Sequence, residues 1–170
     1  GQGANFDGVG YVSVGDNLDL IGSPFTLSAW IYPQSYSGTS SNSPGVIDKL
    51  GTAGNYRLNV PLGVVAFGIR SSDNTFEGLS GTGNSAPLFK WTHVVVTYDN
   101  VATGKIYVNG VLNNSKTNFT VSRGDTAVPL LIGSNNNNPN SNFKGKIDDV
   151  RIYNRVLSDK EILQLYSQSR

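Results

Sequence analysis

The chain has 170 residues, of which 38% are hydrophobic and 15% charged, and carries a net charge of +1. That length suits one domain, spanning 1–170, with a sizeable core. The near-neutral charge excludes an electrostatic footprint for nucleic acid or anionic membrane, the lack of cysteine excludes disulfides and thiol chemistry, and no apolar run has membrane-spanning length. The 20 glycines fit a turn-rich all-β domain. A start at Gly1-Gln2-Gly3 without methionine reads as a domain cut from a longer, processed protein. The abundance of Asn, Ser, Thr and Gly favours an extracellular or cell-surface setting.

Strand-like runs punctuated by turns follow one another. Ala4–Phe6 ends at the turn dipeptide Asp7-Gly8. Tyr11–Val14 alternates and stops at Gly15-Asp16-Asn17. Phe25–Tyr32 is a strong strand halted by Pro33. A polar loop runs from Ser35 to Gly45. Val46–Lys49, Tyr56–Val60 and Val64–Arg70 read as three strands, and Phe76–Leu79 as a further short one. Trp91–Asp99 is the clearest strand in the chain. Lys105–Val108 pairs with Val111-Leu112 across Asn109-Gly110, a type I′ hairpin signal. Leu130–Gly133 precedes an asparagine-rich loop, Ser134–Asn142. The last strand contains Asp148-Asp149. Ser158-Asp159-Lys160-Glu161 is a capping box opening a short helix, Asp159–Tyr166. About a dozen strands without an internal repeat indicate a two-sheet antiparallel β-sandwich, or jelly roll, with one short C-terminal helix.

Several ordered blocks carry a family resemblance. They are Phe6-Asp7-Gly8 with Tyr11–Val14, Phe25–Pro33, Trp91–Asp99 with Ile106–Gly110, and the closing stretch Gly145–Ser158. The chain resembles the concanavalin A-like, laminin-G-type jelly-roll domains over nearly its whole length. The resemblance implies two packed antiparallel sheets. It does not fix function, because that fold serves lectins, carbohydrate-binding modules, adhesins, spacers and enzymes.

Catalysis is disfavoured. The family's retaining hydrolases carry a Glu-x-Asp-x-x-Glu strand, and this chain has none; its glutamates are Glu77 and Glu161. The single histidine, His93, lies in a strand signature shared with non-catalytic members. The resemblance also implies a structural Ca²⁺ held by Asp148 together with the N-terminal turn around Asp7, and calcium wants six or more oxygens. The competing reading is that Asp7 caps its turn and that Asp148 pairs with a surface base.

Sugars are held by aromatic platforms with polar groups that fix hydroxyls. Trp30 and Trp91 stand inside strand signatures and are assigned to the core. Tyr36, Tyr56 and Phe76 are the preferred loop aromatics. Alternation puts Arg57 and Asn59 opposite Leu58 and Val60, facing outward, and Arg70 ends a similar run. Such arginines suit a carboxylate or sulfate; the bland reading is a solvated sheet arginine. The amides of 135–140 are further candidates. The expected function is a non-catalytic carbohydrate-binding or adhesive module working beside other domains of a larger extracellular protein, with a glycan as partner. The alternatives are a structural or protein-interaction spacer and, less favoured, a polysaccharide-degrading enzyme.

Overall fold

The computed structural model describes residues 3–36, 43–135, 138 and 141–168. The strands are β1 (Ala4–Asp7), β2 (Val12–Ser13), β3 (Phe25–Pro33), β4 (Gly45–Asp48), β5 (Asn55–Asn59), β6 (Ala66–Arg70), β7 (Phe76–Ser80), β8 (Thr92–Tyr98), β9 (Gly104–Val108), β10 (Val111–Lys116), β11 (Leu131–Ile132) and β12 (Lys144–Tyr153), followed by the helix α1 (Asp159–Gln168). They form two antiparallel six-stranded sheets. The first runs β1-β12-β3-β8-β9-β10 and the second β2-β11-β4-β5-β6-β7.

Alternation decides which side of each strand is dry. In β3, Phe25, Leu27, Ala29 and Ile31 enter the core between the sheets, where Val94, Val96 and Ile106 meet Leu58, Phe67 and Ile69. The opposite side of β3 is also buried, because α1 folds over it. Val95, Tyr107, Leu157 and Ile162 form a second, smaller core there. Burying a side chain such as Ile162 contributes about 1.5–3 kcal/mol.

Local signals match the elements. Asn109 and Gly110 both take left-handed backbone, with φ of 52° and 80°, and close the β9–β10 hairpin. The capping box forms reciprocally: Ser158 N–H donates to Glu161 Oε2 at 2.8 Å, and Glu161 N–H to Ser158 Oγ at 3.3 Å. Pro33 is the last residue of β3, where it pairs with Gly145. One expectation changes. The run Tyr11–Val14 shortens to two ladder residues at the sheet edge. The loops 35–45 and 134–142 lie partly outside the described residues.

Candidate functional site

The outer face of the second sheet collects the polar residues singled out in the sequence. Register places Asp48 opposite Arg57, Arg57 opposite Gly68, and Gly68 opposite Gly78. Asn55, Arg70 and Phe76 form the neighbouring row. Residues directly opposite share a face, so Arg57, Asn59 and Arg70 do point away from the core.

Two of them are nevertheless shut away from solvent. Arg57 and Asn59 are each 4% exposed. Arg57 Nε donates to the buried Asp48 carboxylate, and its Nη2 donates to Asn135 Oδ1 at 2.8 Å. Asn135 in turn donates to the Ser43 carbonyl at 3.1 Å, and Asn59 to the Ser43 hydroxyl. The expected outward, ligand-facing role is corrected for both. These side chains tie the chain at residues 43 and 135 down onto the sheet. Of the candidate amides at 135–140, residues 136, 137, 139 and 140 lie outside the described residues.

Tyr56 is also corrected. It has the opposite parity to Arg57, so it joins Leu58 in the core and is fully buried. Its ring sits 5.1 Å from that of Phe25, and its hydroxyl donates to the Leu18 carbonyl at 2.8 Å. Burial pushes its phenol well above the usual range. Tyr36 is half-buried. Its hydroxyl donates to the Ala86 carbonyl at 2.6 Å, with Asn84 Oδ1 3.2 Å away, so it braces the loop ends.

Arg70 and Phe76 remain open. The Phe76 ring lies across the glycine pair: a Cβ at Gly68 would come 2.5 Å from it, and one at Gly78 3.2 Å. The ring is 48% exposed, and the Arg70 guanidinium sits 5.6 Å from its centroid. Arg70 Nη1 donates to the Gly51 carbonyl at 3.1 Å, while its Nε is buried without a partner. Burial, and then the nearby Arg57, lower the Arg70 pKa; Asp48 acts in the other direction.

The two expected calcium ligands do not share a site. Asp7 lies opposite Lys144, four positions along β12 from Asp148, which is about 13 Å at the rise of a strand. Calcium–oxygen distances are about 2.3–2.6 Å. Asp7 Oδ1 accepts the Val9 and Gly10 N–H groups at 2.8 and 2.9 Å, and these bonds, Gly10 first, hold its carboxyl below the usual range. This is the turn-capping role. Among the described residues, no group of three or more His, Asp or Glu side chains is placed for a metal.

The two glutamates and His93 are engaged in structural contacts. Glu77 accepts N–H bonds from Thr120 and Val121 at 2.7 and 2.9 Å and faces the side of β7 opposite Phe76. Glu161 is occupied by the capping box and by Arg155 at 2.7 Å. His93 is 2% exposed, its Nε2 lies 2.9 Å from Ser28 Oγ, and burial lowers its pKa to about 4. Tyr166 of α1 stacks over it, 6.2 Å between centroids.

A profile of the concanavalin A-like lectin/glucanases superfamily, laminin-G type, matches residues 6–163. The chain belongs to that superfamily. This superfamily member is 35% identical over 79 residues to the human adhesion G-protein coupled receptor D1, covering 45% of this chain and 9% of the receptor. Its fold is similar to the binding domain of Paraclostridial Mosquitocidal Protein 1, with a TM-score of 0.71 at 19% identity over 87% of this chain and 38% of the other. It is also similar to domain 4 of AbnA, an extracellular arabinanase from Geobacillus stearothermophilus solved with arabinotriose, with a TM-score of 0.70 at 24% identity over 96% of this chain and 76% of the other. The chain thus spans under a tenth of the receptor and well under half of the toxin binding domain. Its two sheets form a lectin-like jelly roll.

The two tryptophans of this lectin-like domain differ. Trp30 is buried, as expected, although on the outer face of the first sheet, 5.2 Å from His93 and 5.6 Å from Tyr166. Trp91 departs from expectation. Trp91 is 36% exposed on the same face, with Phe89 63% exposed beside it.

Proposed function

We propose that the chain is a non-catalytic carbohydrate-binding or adhesive module of a larger extracellular protein, and that Arg70 and Phe76 hold an acidic sugar of its glycan. The carrying observation is the Arg70–Phe76 pair. A ring laid over two glycines offers an open face to a sugar. The partly exposed guanidinium beside it has N–H groups besides the one bonded to Gly51, and a carboxylate or sulfate oxygen accepting from them would form a charge-assisted bond. Asp48, the neighbouring carboxylate, is already paired with Arg57, so an anionic ligand complements the second guanidinium. The arabinotriose bound to the similar arabinanase domain, and the similarity to the binding domain of Paraclostridial Mosquitocidal Protein 1, support a recognition role. The carboxylates that a glycosidase would pair are spent on caps and loop bonds here.

Affinity electrophoresis through polygalacturonate, alginate and chondroitin sulfate tests this. Wild-type protein should be retarded by at least one acidic polymer, saturably, and Arg70→Ala and Phe76→Ala should each restore most of the mobility. Equal retardation of all three proteins, or none of the wild type, contradicts the assignment.

A further inference from the structure

We infer that the outer face of the first sheet carries a second glycan-contact surface, suited to a neutral sugar chain and separate from the Arg70 patch. Register sets up the row. Asn5 lies opposite Lys146, and Lys146 opposite Tyr32. One step beyond the last β3–β8 ladder pair, Ile31 with Thr92, Tyr32 meets Trp91, their ring centroids 5.6 Å apart. These four residues point to one face and cross four strands, a span of about 14 Å at the usual strand spacing. The adjacent row, with Trp30 and His93, is roofed by Tyr166. The open row is therefore the part of this face that α1 leaves uncovered.

Phe89 supplies the independent observation. Its φ is 56°, a left-handed conformation that is uncommon for a bulky residue and costs about 1–3 kcal/mol unless the surroundings impose it. A bond from Phe89 N–H to the Pro33 carbonyl at 2.8 Å holds it there. Its ring stands 63% exposed, edge-on to Tyr32 at 6.4 Å and 73°. No burial repays that strain. The backbone instead presents an aromatic ring to solvent at the end of the row.

The chemistry selects the ligand. The ring planes of Tyr32 and Trp91 meet at 51°, so they form an angled trough and not a flat platform for a planar base. Around them stand a cation at Lys146, a carboxylate at Asp148 and an amide at Asn5, the first and last exposed. Donors and acceptors of both signs complement hydroxyl groups, which are both donor and acceptor. An anionic polymer would meet Asp148, and a purely apolar partner would bury Lys146 and Asn5. The surface is independent of the Arg70 patch, and so is its test.

Affinity electrophoresis and tryptophan fluorescence titration with arabinan, xylan, galactan, mixed-linkage β-glucan and dextran test it. The chain has two tryptophans, and the exposed one should report. At least one neutral polymer should retard the wild type and shift its emission. Trp91→Ala and Phe89→Gly should each weaken that binding at least fivefold, and Arg70→Ala should leave it unchanged. Phe89→Gly also relieves the left-handed strain, so its melting temperature should not fall. This separates a binding role from a folding role, even if Trp91→Ala folds poorly. Neutral-polymer binding unaltered in Phe89→Gly, or no neutral polymer bound by the wild type, overturns the proposal. Binding to acidic polymers alone leaves the Arg70 assignment standing and this one overturned.

Discussion

Tyr166 stacks on Trp30 across the outer face of the first sheet, with ring centroids 5.6 Å apart and planes 21° from parallel. The contact joins the last turn of α1 to the middle of β3 and seals His93 beneath it. An aromatic pair of this kind adds about 0.5–1.5 kcal/mol beyond its area burial. Tyr166→Ala should therefore lose at least that much stability in urea denaturation, and Tyr166→Phe should retain most of it. Opening the roof should also raise the His93 pKa from about 4 towards the ordinary value, as seen by NMR titration.

The same burial makes stability depend on pH. The folded His93 has its pKa lowered from 6.5 to about 4, so between those values the unfolded chain binds the proton and the folded chain does not. The unfolded state then holds more protons, and stability rises with pH. His93 contributes no penalty above about pH 6.5. The penalty grows as pH falls to about 4, where it reaches about 3 kcal/mol, and is constant below. His93→Gln should flatten that part of the stability–pH curve; an unchanged slope would assign the loss to other groups.

The Asp48–Arg57 pair is withdrawn from water, with side chains 0% and 5% exposed. Removing one partner strands the other, which costs about 3–5 kcal/mol. Arg57→Ala and Asp48→Ala should both lower the denaturation midpoint by that order. Arg57→Lys should not rescue it, because Asp48 and Asn135 are met by two different nitrogens of a rigid planar fork, a geometry that an ammonium on a flexible stem does not reproduce. A loss below about 1 kcal/mol, the range of surface pairs, would contradict the burial.

Much of the architecture was legible. Alternation in Phe25–Tyr32 and Trp91–Asp99, the Asn109-Gly110 turn and the capping box at Ser158 each act over a few residues, so they can be read without the fold. Ile31 and Val94 are core residues, so Tyr32, Trp91 and His93 must face outward. Trp30 shares that parity, yet is buried only because α1 returns over the sheet. What stayed hidden depends on distant chain. Arg57 and Asn59 face away from the core, as their parity requires, but Ser43 and Asn135 cover them. The separation of Asp7 from Asp148 depends on the β1–β12 register, which neither segment states alone.

Gly68 should matter for the same non-local reason. A methyl group there meets the Phe76 ring at 2.5 Å, so Gly68→Ala should push the ring off its bed. Its effect on acidic-polymer retardation should approach that of Phe76→Ala, with a stability loss of only about 1 kcal/mol, a typical value for single substitutions. Retardation equal to wild type would show that the ring position is not used.

The most direct measurement combines binding and turnover on one acidic polysaccharide that retards the protein. Calorimetric titration should give saturable binding for the wild type, at least tenfold weaker binding for Arg70→Ala, and no release of reducing ends or unsaturated products on long incubation. Undiminished affinity in Arg70→Ala, or product release by the wild type that His93→Gln or Glu77→Gln abolishes, would contradict a non-catalytic glycan-binding module centred on Arg70.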